Sequence, residues 1–175
     1  GWLANVASNY LISGKLPKRH GNAHPNIVPY QSFQANDGWF AIAVGNDRQF
    51  ERLCEMLERP EFAIDERFAT NSGRVENRDV LIPLLISIFK TASVSEWLRK
   101  LEDAELPCGP INDFEQVFSM PNVQERNMLV KMVHPTIGEL PLVGSPLKMS
   151  ETPVEYRLPP PLMGEHTKEI LKELG

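Results

Sequence analysis

Only two cysteines, Cys54 and Cys108, occur in the 175 residues. Neither has a CxxC or Cys/His neighbour spacing, which argues against a disulfide framework and against a zinc site. Scarce, unpatterned cysteine fits a reducing compartment. Long apolar runs are also missing: the longest, residues 80–89 around Pro83, falls well short of the roughly 20 residues that cross a bilayer. No membrane partner is expected. Positive charge is not in excess either. The formal net charge is -5 and the pI is near 5.4, whereas nucleic-acid binders present a basic face, so nucleic acid is not an expected partner. The first residues, Gly1-Trp2-Leu3-Ala4-Asn5, lack an initiator Met and the basic-then-apolar pattern of a signal peptide, and they read as a cut. Catalytic signatures are absent as well: there is no GxGxxG, Walker loop, GxSxG or HExxH.

What is present describes a foldable domain. The chain is 42% hydrophobic and 23% charged, close to the globular average, and its length suits one principal domain. Apolar residues at positions 2, 3, 6, 7, 10 and 11 predict a helix over 2–12 whose apolar stripe needs a partner surface. Gly14 can stop it, and residues 15–29, with three prolines and a Gly-Asn pair, read as an extended loop. Residues 28–34 and 39–44 flank Ala35-Asn36-Asp37-Gly38, a turn signal that predicts a β-hairpin. The second strand is apolar on both faces, Trp39/Ala41/Ala43 and Phe40/Ile42/Val44, so it is expected to be central and covered on both sides.

Asn46 or Asp47 can cap a helix carrying Phe50, Leu53, Cys54 and Leu57 on one face, with Pro60 closing its continuation. Cys54 is then a core residue. A second helix is expected over 74–90, with Pro83 either bending it or moving its start downstream. Ser93-Val94-Ser95-Glu96 is a capping box that introduces a third helix with Val94, Trp97, Leu98 and Leu101 inward. The Pro107-Cys108-Gly109-Pro110 turn ends it, and a short helix is expected from Asp113. Residues 129–133 and 140–143 read as a second, longer-looped hairpin, residues 153–161 as a proline-rich extended arm, and residues 164–174 as a final amphipathic helix. The order gives an α+β class.

Composition and periodicity stop there, and a series of phrases goes further. In order, they are Gly21-Asn22-Ala23-His24-Pro25, Val28-Pro29-Tyr30-Gln31, Asp37-Gly38, Gly45-Asn46-Asp47-Arg48-Gln49-Phe50, Pro107-Cys108-Gly109-Pro110-Ile111-Asn112, Gly144-Ser145-Pro146 and Gly164-Glu165-His166-Thr167. This series resembles the C-terminal half of class III CoA-transferases, the CaiB/BaiF family, over essentially the whole chain. The stretch from Asn9-Tyr10-Leu11-Ile12 through Val28-Pro29-Tyr30-Gln31 resembles the branch acting on dicarboxylic acids such as succinate and glutarate.

The resemblance implies an α+β small domain plus C-terminal elements of a Rossmann-like α/β large domain, in an interlocked homodimer. Residues 1–24 and 136–175 would belong with the large domain, and residues 25–135 would form the small one. It also implies a location in the cytoplasm or mitochondrial matrix. The implied substrates are an acyl-CoA and a free carboxylic acid, with coenzyme A as substrate and no metal or other cofactor. The implied chemistry is covalent catalysis by an aspartate that forms an acyl-aspartyl anhydride, and that aspartate would lie upstream of this chain. Asp37, Asp47 and Asp113 are explained as turn or cap residues, so no catalytic residue is assigned here.

Residues 21–26 align with a glycine-rich loop that folds over the reacting aspartate in the formyl-CoA transferase branch, although here Ala23-His24-Pro25-Asn26 replaces most of the glycine. Gly21, Asn22 and His24 are the candidate substrate-binding residues. Backbone N–H groups near the glycine would face a developing oxyanion, and Asn22 or His24 would hydrogen-bond the acyl carboxylate. The alternative is a loop merely braced by local hydrogen bonds. At the level of function, the alternatives are an acyl-CoA racemase of the methylacyl-CoA type and a non-catalytic binding module. His20, His134 and His166 have no positioned partner in the sequence, and nothing near Cys108 would lower its pKa.

Overall fold

The computed structural model describes residues 1–175, which divide into two compact units, 1–111 and 112–175. In the first unit, the chain opens with helix α1 (Ala4–Ser13). Gly14 terminates it at φ 69°, returning its N–H to the Tyr10 carbonyl at 2.7 Å. This left-handed turn is one that glycine adopts without steric penalty. None of the α1 side chains is fully buried: along its apolar stripe Val6 and Ala7 are half-buried, while Tyr10 and Leu11 are exposed.

After the loop, strands β1 (Tyr30–Gln34) and β2 (Trp39–Ala43) pair antiparallel, with Gln34 opposite Trp39. The intervening turn is pinned from outside: the Asp37 carboxylate accepts the Val94 N–H at 2.8 Å. Strand β3 (Cys108–Pro110) adds antiparallel to the other edge of β2, making β2 central in the order β1-β2-β3. Cys108 thus lies on a strand and not in a simple turn. The two prolines that discourage that assignment sit at its margin, and the ladder bonds pass through the Pro107 carbonyl and the Ile111 N–H.

Between β2 and β3 run α2 (Asp47–Met56), α3 (Glu61–Ile64), α4 (Asn71–Glu76), α5 (Arg78–Phe89) and α6 (Val94–Asp103). The single helix expected over 74–90 is two. Asn77 leaves the helical region at φ -104°, ψ 23°, and its side-chain amide donates to the Gly73 carbonyl at 2.9 Å, closing α4. α5 then runs through Pro83, whose ring is exposed. α2 is capped by Asn46, which accepts the Gln49 N–H at 2.9 Å, leaving Asp47 free for a tertiary role. The Ser93/Glu96 box forms as expected, and the short helix expected from Asp113 opens with a second box at Asp113/Gln116.

The core lies on one face of the sheet. Phe33 and Phe40 are cross-strand partners, and the Phe89 ring meets both, at 4.9 and 5.1 Å between centroids, and Trp97 at 5.2 Å. The Trp97 indole N–H is satisfied by the Phe89 carbonyl at 2.7 Å. Edge-to-face aromatic pairs of this kind add about 0.5–1.5 kcal/mol each beyond area burial. The other face of β2 is not covered as expected: Trp39 is 47% exposed and Ala41 and Ala43 are half-buried.

The second unit contains α7 (Phe114–Ser119), α8 (Pro121–Glu125), β4 (Leu129–His134), β5 (Gly138–Val143) and α9 (Thr167–Leu174). Its hairpin is tighter than expected. His134 pairs with Gly138, leaving three loop residues, with Gly138 at φ 84°. The His134 Nδ1 accepts hydrogen from the N–H groups of Thr136 and Ile137, which folds the turn. Gly144 continues the ladder by donating to the Met128 carbonyl at 2.8 Å, so close to Asn127 and Met128 that a Cβ there has no room. No apolar side chain of this unit is buried. Residues 153–157 form no regular structure, in keeping with the extended reading. All strand pairing in both units is antiparallel. No single helix is long and apolar enough to cross a membrane.

Candidate functional site

The loop from His20 to Asn26 runs beside edge strand β1 and is held at nearly every residue. Gly21 takes φ 61°, which turns the chain so that Asn22 reaches β1. The Asn22 carboxamide bridges to Ser32 twice, donating through Nδ2 to the Ser32 hydroxyl and accepting the Ser32 N–H at 3.3 Å. His24 stacks flat on Tyr30, with centroids 5.3 Å apart and planes 8° from parallel, and its N–H donates to the Tyr30 carbonyl at 2.9 Å. Its Nδ1 accepts the Asn26 N–H at 3.1 Å. That bond places the ring proton of the neutral imidazole on Nε2.

Residues outside the predicted set complete the framework. Arg78, at the start of α5, donates to the carbonyls of His24 (3.3 Å) and Pro25 (2.7 Å) and faces His20 Nδ1 at 3.3 Å. Partial burial, and then the neighbouring Arg78 charge, hold His20 below its usual pKa and keep it neutral more readily. At the far end, Asn26 exchanges side-chain hydrogen bonds with Asn9 of α1 at 2.8 and 3.1 Å, and its carbonyl accepts Asn71 Nδ2 at 2.8 Å.

Beneath the loop sits Arg74, with a fully buried side chain. Its guanidinium donates to the carbonyls of Val28 (2.7 Å) and Phe68 (2.9 Å) and to the Asp47 carboxylate (2.9 Å), and lies 4.4 Å above the Phe50 ring. The Val28–Pro29 peptide it secures is cis. Asp47 also accepts the Asn71 N–H at 2.8 Å, so one carboxylate anchors both the buried cation and the residue that grips the loop.

Three grooves border the loop, one of them between it and α5, and the other two are lined by candidate residues. One, of about 610 Å³, is lined by α1 and by loop residues including His20, Gly21, Ala23 and Asn26. The other, of about 420 Å³, has His20, Gly21 and Asn22 on one side and Ser32, Trp39 and Lys90 on the other. Gly21 therefore borders both grooves and Asn22 one, while the His24 ring lies against Tyr30 outside both linings. His20, which sequence reasoning left without a partner, borders both. No local sequence signal pointed to it, because its partner Arg78 lies 58 residues away. The groups at hand are hydrogen-bond donors on a braced loop, with Lys15 and Lys18 lining the first groove and Lys90 the second, a chemistry suited to holding an anionic oxygen. No cluster of His, Cys, Asp and Glu side chains is arranged to hold a metal.

The family model for CoA-transferase family III matches residues 1–167. The chain belongs to this family. Among relatives within family III, it is 40% identical over 172 residues to the succinyl-CoA:glutarate CoA-transferase of Homo sapiens, covering 98% of this chain and 39% of that protein. It is 42% identical to the succinate–glutarate CoA-transferase of Agrobacterium fabrum, covering 98% and 43%. A CaiB/BaiF family protein from Brucella suis has a similar structure, with TM-score 0.76, 43% identity, and coverage of 99% of this chain and 44% of that one. The Rv3272 structure from Mycobacterium tuberculosis, with TM-score 0.72 at 23% identity and coverage of 96% and 43%, shares the fold. The chain thus spans about two-fifths of the length of the relatives it matches.

Proposed function

We propose that this chain is the C-terminal part of an enzyme that moves CoA from an acyl-CoA to a free carboxylic acid, with a dicarboxylate among its substrates. The observation that supports this most strongly is identity of 40–42% to two succinate/glutarate CoA-transferases across 98% of the chain. In the proposed reaction an aspartate upstream of Gly1 attacks the thioester carbonyl, the CoA thiolate leaves, and an acyl-aspartyl anhydride forms. The thiolate then attacks the aspartyl carbonyl of the anhydride, forming an aspartyl-CoA thioester and releasing the donor carboxylate; the acceptor carboxylate attacks that thioester, expelling the thiolate and forming a second anhydride, and the thiolate finally attacks its acceptor acyl carbonyl, giving the new acyl-CoA and regenerating the aspartate. The intact protein is a homodimer located in the cytoplasm or mitochondrial matrix. Its large domain is Rossmann-like, with residues 1–24 and 136–175 joining it and residues 25–135 making the small domain.

The contribution of this chain is the 20–26 loop. Gly21 and Asn22 form part of the substrate wall, and His24, on the same loop but outside both groove linings, stands beside it on Tyr30. The His24 Nε2–H and the second Nδ2–H of Asn22 make no hydrogen bond within the chain and remain available to a carboxylate oxygen. The Asn22 amide is uncharged, so it orients an anion without neutralising it. No group here attacks the thioester, so the 175-residue chain alone transfers no CoA.

The test is to incubate the full-length protein with succinyl-CoA and labelled glutarate and look for labelled glutaryl thioester. Labelled thioester from the full-length protein, and none from the 175-residue chain, is the expected result. Exchange of the α-hydrogen of an acyl-CoA without thioester transfer would replace this reading with racemisation. Transfer by the 175-residue chain alone would refute the upstream nucleophile.

A further inference from the structure

The group that dictates the loop's shape comes from a helix and not from the loop. Arg78 is half-buried at the first position of α5, and its guanidinium engages the loop at three points: the carbonyls of His24 and Pro25 and the ring nitrogen of His20. It forms no salt bridge: Asp79, next along α5, is exposed, and no carboxylate lies within ion-pair distance of Arg78. A planar fork with several donors in fixed directions can hold two successive carbonyls and an imidazole at once, and a lysine ammonium cannot do so in the same geometry. The two carbonyls belong to the peptide units around the His24–Pro25 junction, so their positions set where the His24 Cα, and hence its ring, stands over Tyr30.

We infer that Arg78 is a positioning residue for the carboxylate acceptor: by gripping His20, His24 and Pro25 it holds the His24 Nε2–H and the Asn22 amide at a fixed separation. This rests on the reading of the 20–26 loop as the substrate wall. Arg78 does not touch the substrate and acts only through the loop. Its fork recognises backbone carbonyls, so it fixes geometry whichever acid is bound, and the loop side chains determine which acid fits. His20 serves as the third prong. Its Nδ1 must be unprotonated to accept from Arg78, and the same arginine charge favours that form.

The test uses the full-length enzyme and compares Arg78→Gln, Arg78→Lys, the double variant Asn22→Ala/His24→Ala, and Leu101→Val as a core control remote from the loop. Arg78→Gln raises KM for the acceptor acid by about tenfold, as expected for loss of charge-assisted hydrogen bonds to a substrate-shaping element, while KM for the acyl-CoA donor changes less than twofold. Arg78→Lys, which keeps the charge but loses the planar fork, falls between wild type and Arg78→Gln. Leu101→Val lowers thermal stability without moving acceptor KM. If both Arg78 variants match Leu101→Val in their kinetics while the double variant still raises acceptor KM, the positioning role is overturned and the loop reading stands. If the double variant also leaves acceptor KM unchanged, the loop reading itself falls.

Discussion

Replacing Arg74 by Met keeps the volume and the contact with Phe50 but removes every hydrogen bond the guanidinium makes. Two carbonyls, of Val28 and Phe68, both residues buried at 2% and 1% exposure, then lose their side-chain donor. An orphaned buried acceptor costs about 1–3 kcal/mol, so the two together cost about 2–6 kcal/mol. The Asp47 carboxylate is 50% exposed and turns to water, adding little. The middle of that range is roughly 4 kcal/mol.

Set against a total stability of about 5–15 kcal/mol, that loss lowers Tm by roughly 15–25 °C for a unit of this size. Urea denaturation followed by tryptophan fluorescence is the assay, because Trp97 is buried against Phe89 and reports on the first unit. Asp47→Asn retains an acceptor for both Asn71 and Arg74 and is expected to cost about 1 kcal/mol. An Arg74→Met midpoint within about 0.5 kcal/mol of wild type, the range of an ordinary surface change, would refute the keystone role.

Three further outcomes can be checked. Burial pushes the Cys54 thiol up to about 12 and also raises Cys108, so an aromatic disulfide reagent near pH 8 labels half-buried Cys108 slowly and Cys54 only after denaturation; rapid labelling of both in the native chain contradicts the core placement. Acidification destabilises in two stages. His20, held below its usual 6.5, binds its proton more readily in the unfolded chain, so its share of stability is complete above 6.5 and shrinks as pH falls below it. Glu96 and Asp65, held below the usual carboxylate range by hydrogen bonds from Ser93 and from Arg67, lose theirs only as pH falls through that range. Denaturation midpoints measured across this span should show both steps, and His20→Gln should remove the upper one alone. Finally, Ser93→Ala removes the acceptor for the Glu96 N–H and should cost about 1 kcal/mol with no change in denaturant m-value.

Local patterns were the legible ones. The stripe Phe50, Leu53, Cys54, Leu57 is fully or nearly fully buried, the Ser93 box closes as written, and the Asp-Gly turn joins the strands it flanks, because each depends on neighbours a few residues away. What the sequence hid depends on distant partners. Arg74 looks like any helix-surface arginine until Val28, 46 residues earlier, supplies its carbonyl. Cys108–Pro110 becomes a strand only because β2, far upstream, offers an open edge. The helix break at Asn77 comes from a side chain bonding back to Gly73, which competes with the apolar periodicity that runs across it. At the site, the loop and its three candidates were visible, but their framework was not: Ser32 on the edge strand grips Asn22, and Arg78 reaches back 54 residues to the His24 carbonyl.

The lack of a buried apolar side chain in residues 112–175 bears on how the molecule fluctuates. Its one buried polar side chain, His134, folds a turn and cements no core. With no apolar cluster to make their opening cooperative, the β4–β5 amides should exchange with deuterium through small, local excursions, over seconds to minutes. Amides of β2 and α6 exchange only when the Phe33–Phe40–Phe89–Trp97 cluster comes apart as a whole. A single chain would thus display two exchange regimes, and any cover that docks on residues 112–175 would be detected first as a slowing of the faster one.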